Sequence, residues 1–191
     1  MIRSFGDFVD KNNAAKDFLV IGFRPSSLPL QQRWRNNGLS ADFLADYVTT
    51  FFPADDEASR YRQAEIRDAV AYVANELLEN AMKFSYHPTL VPVSISLYLH
   101  ENALDFYVTN GAKPDALDEF YGFIDTLLEG DAHELYIEQL EKNATEDLHD
   151  RSHLGFLTMI TNYQAELAWK FEATNNDVDV IAVTTMVHLE V

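Results

Sequence analysis

Apolar residues recur along this chain in two distinct rhythms. Over residues 56–85, Ile66, Val70, Val73, Leu77 and Ala81 fall three or four positions apart, which gathers them on one side of a long amphipathic helix. Further on, Ala165, Leu167, Trp169, Phe171 and Ala173 alternate with polar or small residues, and residues 178–191 alternate again. A period of two puts every second side chain on one face of a strand, and Thr174-Asn175-Asn176-Asp177 supplies the turn that pairs the two. Residues 17–23 read as a short buried strand closed by Arg24-Pro25-Ser26-Ser27. Residues 91–99 and 103–108 predict a hairpin around Glu101-Asn102, with Gly111 and Pro114 breaking the pattern.

The remaining signals are helical. Ser40 reads as the N-cap of a helix through Val48, with Leu39 placed to staple it and Pro53 to close it. His87-Pro88 ends the long helix. Two acidic helices fill residues 115–148, parted by Glu129-Gly130-Asp131, and Ser152 caps a further helix through Phe156, Met159 and Ile160. Strands come as hairpins and helices in groups. That grouping predicts an α+β fold, a two-layer sandwich with helices on one face of a mixed, mostly antiparallel sheet. Residues 1–53 form an amino-terminal extension for packing or dimerisation, residues 54–191 the main domain, and the two make one compact unit.

Composition narrows the functional classes. The chain has 191 residues, 47% of them hydrophobic, and no cysteine, so one cored domain is expected, without disulfides or thiolate metal sites. It has no apolar run long enough to span a bilayer and opens without a signal-peptide core, so a cytoplasmic protein is the expectation. The net charge of −17 repels phosphate backbones and anionic lipid, which argues against nucleic-acid and membrane binding. Much of that charge sits in residues 115–150, where twelve acidic residues face the single basic residue Lys142. Such a run is expected to be a solvated helical face, or a surface that selects partners.

The chemistry concentrates on the long helix. Glu76, Asn80 and Lys83 stand at i, i+4 and i+7 and so share one side of it, beside the apolar stripe. A carboxylate can deprotonate a hydroxyl, an amide oxygen can coordinate a hard cation, and an ammonium can neutralise phosphate. Spacing alone would be ordinary for a surface helix. The surrounding residues Val73-Ala74-Asn75-Glu76-Leu77-Leu78-Glu79-Asn80-Ala81-Met82-Lys83-Phe84-Ser85, however, resemble the N-box of the GHKL ATPase and kinase superfamily. The downstream elements come in a similar order too: a hairpin, then Thr109-Asn110-Gly111 in place of a first glycine box, a helical lid, and Ser152-His153-Leu154-Gly155 where a second glycine box opens a helix. The compact helical lid looks closest to the SiaB-like, anti-sigma-kinase branch.

The resemblance implies a Bergerat-type site for ATP and Mg²⁺. In it Glu76 is the base, Asn80 the Mg²⁺ ligand, and Lys83 a phosphate contact. Thr109, Asn110, Gly111, Ser152, Gly155 and Thr184 lie at nucleotide-binding positions, with Arg151 as a further phosphate contact and Thr185 beside Thr184. It also implies a homodimer that phosphorylates a serine or threonine of a STAS-like protein partner. The chain departs from the pattern twice. Thr109 or Asn110 replaces the aspartate that accepts from the adenine amino group, and Gly155 alone survives of the second box's glycines. The alternative is therefore a catalytically inactive scaffold that keeps the fold and binds other proteins.

Overall fold

The computed structural model describes residues 2–11, 15–24, 30–86, 91–145, 154–174 and 180–191, with backbone alone at 30–34 and 144–145. Six strands, β1 (Ile2–Phe5), β2 (Asp17–Phe23), β3 (Val93–Leu99), β4 (Ala103–Ala112), β5 (Glu166–Ala173) and β6 (Ile181–Glu190), form one sheet in the order β1-β5-β6-β4-β3-β2. Among the described residues five α-helices, α1 (Leu30–Thr49), α2 (Glu57–Lys83), α3 (Leu117–Glu129), α4 (Ala132–Thr145) and α5 (Leu154–Tyr163), complete a two-layer α+β sandwich. All the described strand pairings are antiparallel, so the sheet is not mixed. The chain crosses from β4 to β5, and β6 returns between them, so the two hairpins, β3–β4 and β5–β6, meet through β4 and β6 as an antiparallel pair.

Alternation within the strands decides what the helices cover. Ile95 and Leu97 on β3, Phe106 and Val108 on β4, Trp169 and Phe171 on β5 and Val187 on β6 pack in one core with Leu44 of α1, Val70, Val73 and Leu77 of α2, Ile124 of α3 and Met159 of α5. The long helix begins where the sequence places it. Asp56 accepts from the Ser59 backbone N–H at 2.7 Å while its own N–H donates to Ser59 Oγ at 3.0 Å, a reciprocal cap that satisfies two otherwise orphaned donors. The expectation for Ser40 fails. Helix α1 starts at Leu30, and Ser40 lies inside it, its hydroxyl donating to the Asn36 carbonyl at 2.7 Å. A serine that bonds back to i−4 has no need to cap. Likewise Gly111 does not end its strand, which runs on to Ala112.

The amino-terminal residues are built into this unit. β1 and β2 occupy opposite edges of the sheet, and the chain leaving β1 crosses the face that carries no helices. Along the way Val9 N–H donates to Met186 Sδ at 3.3 Å, Tyr107 Oη donates to the Val9 carbonyl at 3.0 Å, and Lys11 Nζ donates to Ser96 Oγ at 3.1 Å. Lys170 Nζ meets Asp10 at 2.8 Å. Burial pushes the Tyr107 phenol up to about 12, so it stays a donor at any ordinary pH. The crossing starts at Gly6, whose φ is +66° and where a Cβ would stand 2.7 Å from the Leu167 carbonyl oxygen. Gly6→Ala is therefore expected to destabilise the fold by about 2 kcal/mol, read as a lower urea midpoint with an unchanged slope. An unaltered midpoint would mean that the crossing segment contributes nothing to stability.

Candidate functional site

A cavity of about 300 Å³ opens between the carboxyl-terminal half of α2, the helix-facing side of β4 and β6, and α3. Leu77, Val108, Phe120, Phe156 and Val183 give it apolar walls, and Asn80, Lys83, Asn110, Glu119 and Thr185 supply its polar groups. That mixture of many apolar contacts and few polar groups suits a small organic ligand. Asn110 and Thr185 are both buried. Asn80 Nδ2 is buried and has no hydrogen-bond partner among the described residues. A buried donor left without a partner costs roughly 1–3 kcal/mol, so a group inside the cavity that accepts from Asn80 Nδ2 would be favoured.

The Glu76-Asn80-Lys83 stripe divides in the structure. Asn80 and Lys83 line the cavity, but Glu76 is not among its lining residues. Instead Glu76 packs against Gly155 in the first turn of α5, where any Cβ would collide with its carboxylate. The missing side chain at Gly155 is what leaves room for it. Burial first, and the neighbouring Glu79 second, raise the Glu76 carboxyl above its ordinary value of 4.5. Asn75 Nδ2 holds Glu79 Oε1 at 2.9 Å, which fixes that neighbour in place.

The raised acid has a stability consequence. When the folded-state value lies above the unfolded one, the fold favours the neutral acid. The resulting stabilisation is complete below the unfolded value near 4.5 and disappears as pH rises through the higher folded value. At neutral pH the wild type therefore carries an ionised, partly buried carboxylate that glutamine would remove. Glu76→Gln should raise the melting temperature at pH 7.5, and the gain should shrink as the pH falls through the raised folded-state value and be gone below about 4.5. A variant that melts lower than wild type at pH 7.5 would contradict this.

The other expected site residues distribute by strand parity. Asn110 faces the cavity, whereas Thr109 and Thr184 lie on the opposite face of the sheet. There they are register partners whose hydroxyls bond each other at 2.9 Å. They do not line this cavity, because adjacent strand residues point to opposite faces. Gly111 shares the parity of Thr109, and its carbonyl accepts from the Tyr86 N–H at 2.8 Å; it does not line the cavity. On β6 the lining positions are Val183 and Thr185, of which Thr185 is the polar one. Arg151 and Ser152 lie outside the described residues. Sequence reasoning missed the aromatic walls, Phe120 and Phe156, which resembled ordinary core residues. Among the described residues, no cluster of three or more histidines and carboxylates could hold a metal by itself, and no helix is long and apolar enough to cross a membrane.

No family model matches the chain, and no curated protein matches it. Among solved structures, a chain of the SiaB–SiaC complex from Pseudomonas aeruginosa is similar, with a TM-score of 0.56 over 91% of this chain and 89% of that chain and 14% sequence identity. The likeness is one of fold.

Proposed function

We propose that the chain is a regulatory nucleotide-binding protein of the GHKL type that works through a protein partner in a partner-switching pathway. The observation that carries this reading is the buried Asn80 Nδ2 on α2, which has no hydrogen-bond partner among the described residues and belongs to a residue that lines an apolar cavity together with Lys83. The similar chain belongs to a complex of two proteins, which supports a partner for this one. Asn80 Oδ1 is the group on α2 that would hold a Mg²⁺ ion brought to the cavity with ATP. Bound there, it would neutralise phosphate charge.

In its active form the protein would transfer the γ-phosphoryl group of ATP to a serine or threonine hydroxyl of a STAS-like partner. The bond to the β-phosphate oxygen breaks, the bond to the hydroxyl oxygen forms, and ADP leaves. Glu76, whose proton affinity is already raised by burial, takes the hydroxyl proton, and Lys83 offsets phosphate charge. Titration of the full chain with ATP and Mg²⁺ tests the binding; no heat and no thermal shift at millimolar nucleotide would remove the reading.

A second reading rests on Glu76 itself. Its position against Gly155, away from the cavity lining, favours a scaffold that binds nucleotide or partner without turnover. Partner binding with ATP bound but without phosphate transfer would select it. Self-association belongs to the same proposal and would use α1, where Leu39 and Phe43 are exposed four residues apart, with the exposed Phe51 just beyond its end. A monomer in sedimentation at about 100 µM, on the order of a weak dimer's dissociation constant, would exclude it.

A further inference from the structure

The polar side chains that the sheet presents to the cavity, Asn110 and Thr185, are neutral groups that can reverse their hydrogen-bonding sense. Asn110 on β4 pairs in register with Val183, and Thr185 on β6 pairs with Val108, so Asn110 and Thr185 are diagonal neighbours on one face of the sheet. Both are more than nine-tenths buried and both line the cavity. The single carboxylate among the described lining residues is Glu119, which is exposed on α3. Phe120, Phe156, Leu77, Val108 and Val183 complete an apolar slot whose chemistry suits a flat heterocycle with a polar edge.

An amide places an acceptor beside a donor, and a half-turn about its last bond exchanges them with little change in shape. The adenine edge offers a 6-amino donor next to the N1 acceptor. The hypoxanthine edge offers a 6-oxo acceptor next to an N1–H donor. One orientation of the Asn110 amide makes two hydrogen bonds to the first edge, and the reversed orientation makes two to the second. A carboxylate in that position would only accept and could complement neither edge fully. The Thr185 hydroxyl is equally indifferent, since it donates or accepts by rotation. Strong discrimination between such bases needs polar groups of fixed sense that are left unpaired by the wrong ligand, and neither buried side chain that the sheet presents here, Asn110 or Thr185, is of that kind.

We propose that Asn110 makes the cavity a purine site that accepts 6-amino and 6-oxo bases alike. This deepens the nucleotide-binding reading and rests on it. The test is calorimetric titration of the full chain with the magnesium complexes of ATP and inosine triphosphate, which differ only along the edge in question. The two dissociation constants are expected to agree within about tenfold, and Asn110→Leu to weaken both in parallel by about tenfold or more, the discrimination that one bidentate amide–base pair supplies. A preference for either base beyond that limit overturns the inference and leaves nucleotide binding intact. So does an Asn110→Leu protein that binds both as tightly as wild type does. Binding of neither nucleotide at millimolar concentration removes the nucleotide reading itself, a different result from binding of one. The wild-type comparison needs no variant, and Asn110→Ser serves where leucine disturbs folding.

Discussion

Trp169→Ala is expected to cost about 3–5 kcal/mol of stability, a large part of what a domain this size possesses. Trp169 has no exposed surface. It sits edge-on to Phe120 and Phe156, with ring centroids 6.3 and 5.7 Å away, and Phe171 closes on Phe120 at 6.2 Å. Truncation would leave a cavity that this rigid aromatic cluster cannot collapse into. Trp169→Phe should lose much less, about 1–2 kcal/mol, because it keeps a ring in place and deletes an indole N–H that has no partner among the described residues. Urea unfolding followed by far-ultraviolet circular dichroism measures both. Equal losses in the two variants would show that ring packing is not the source of stability here. Since Phe120 and Phe156 also line the cavity, the alanine variant should loosen the site as well as the core.

The features legible in the sequence are those in which one face of an element is wet. The α2 stripe and the two acidic helices emerge where expected, since each sets packed residues against exposed ones, and β5 and β6 emerge as strands although residues 167–169 and 183–187 are buried throughout. β4 is opaque for the opposite reason. Phe106, Tyr107 and Val108 are all buried, because the segment after Gly6 covers the second face of the sheet. No alternation survives to fix the strand's parity, and a one-residue ambiguity moves every side chain to the other face. That is why sequence does not separate Thr109 from Asn110, or Thr184 from Thr185. β1 is invisible for want of length: four residues, three of them exposed, carry no period. The Asn80 orphan has no sequence signal at all, since it depends on which neighbours fail to reach it.

Asn80→Ala separates a functional amide from a structural one. An asparagine retained for the fold would satisfy its hydrogen bonds within the protein, and its removal would lower stability. Asn80 Nδ2 finds no such partner among the described residues, so alanine removes a buried donor that was already unsatisfied, and the melting temperature should stay level or rise. Binding should move the other way. With the amide gone, the affinity for ATP and Mg²⁺ should fall by at least about tenfold, the loss of one interaction with a charged group, while metal-free ATP should lose less. Asn80→Asp, which restores an oxygen for the cation and adds a charge, should recover part of the magnesium-dependent affinity. A more stable, weaker-binding alanine variant joined to a partly rescued aspartate is a combination that packing alone does not produce. If instead Asn80→Ala unfolds more easily and binds nucleotide as wild type does, the amide belongs to the core and the cavity's polar chemistry must lie with Lys83, Asn110 and Thr185.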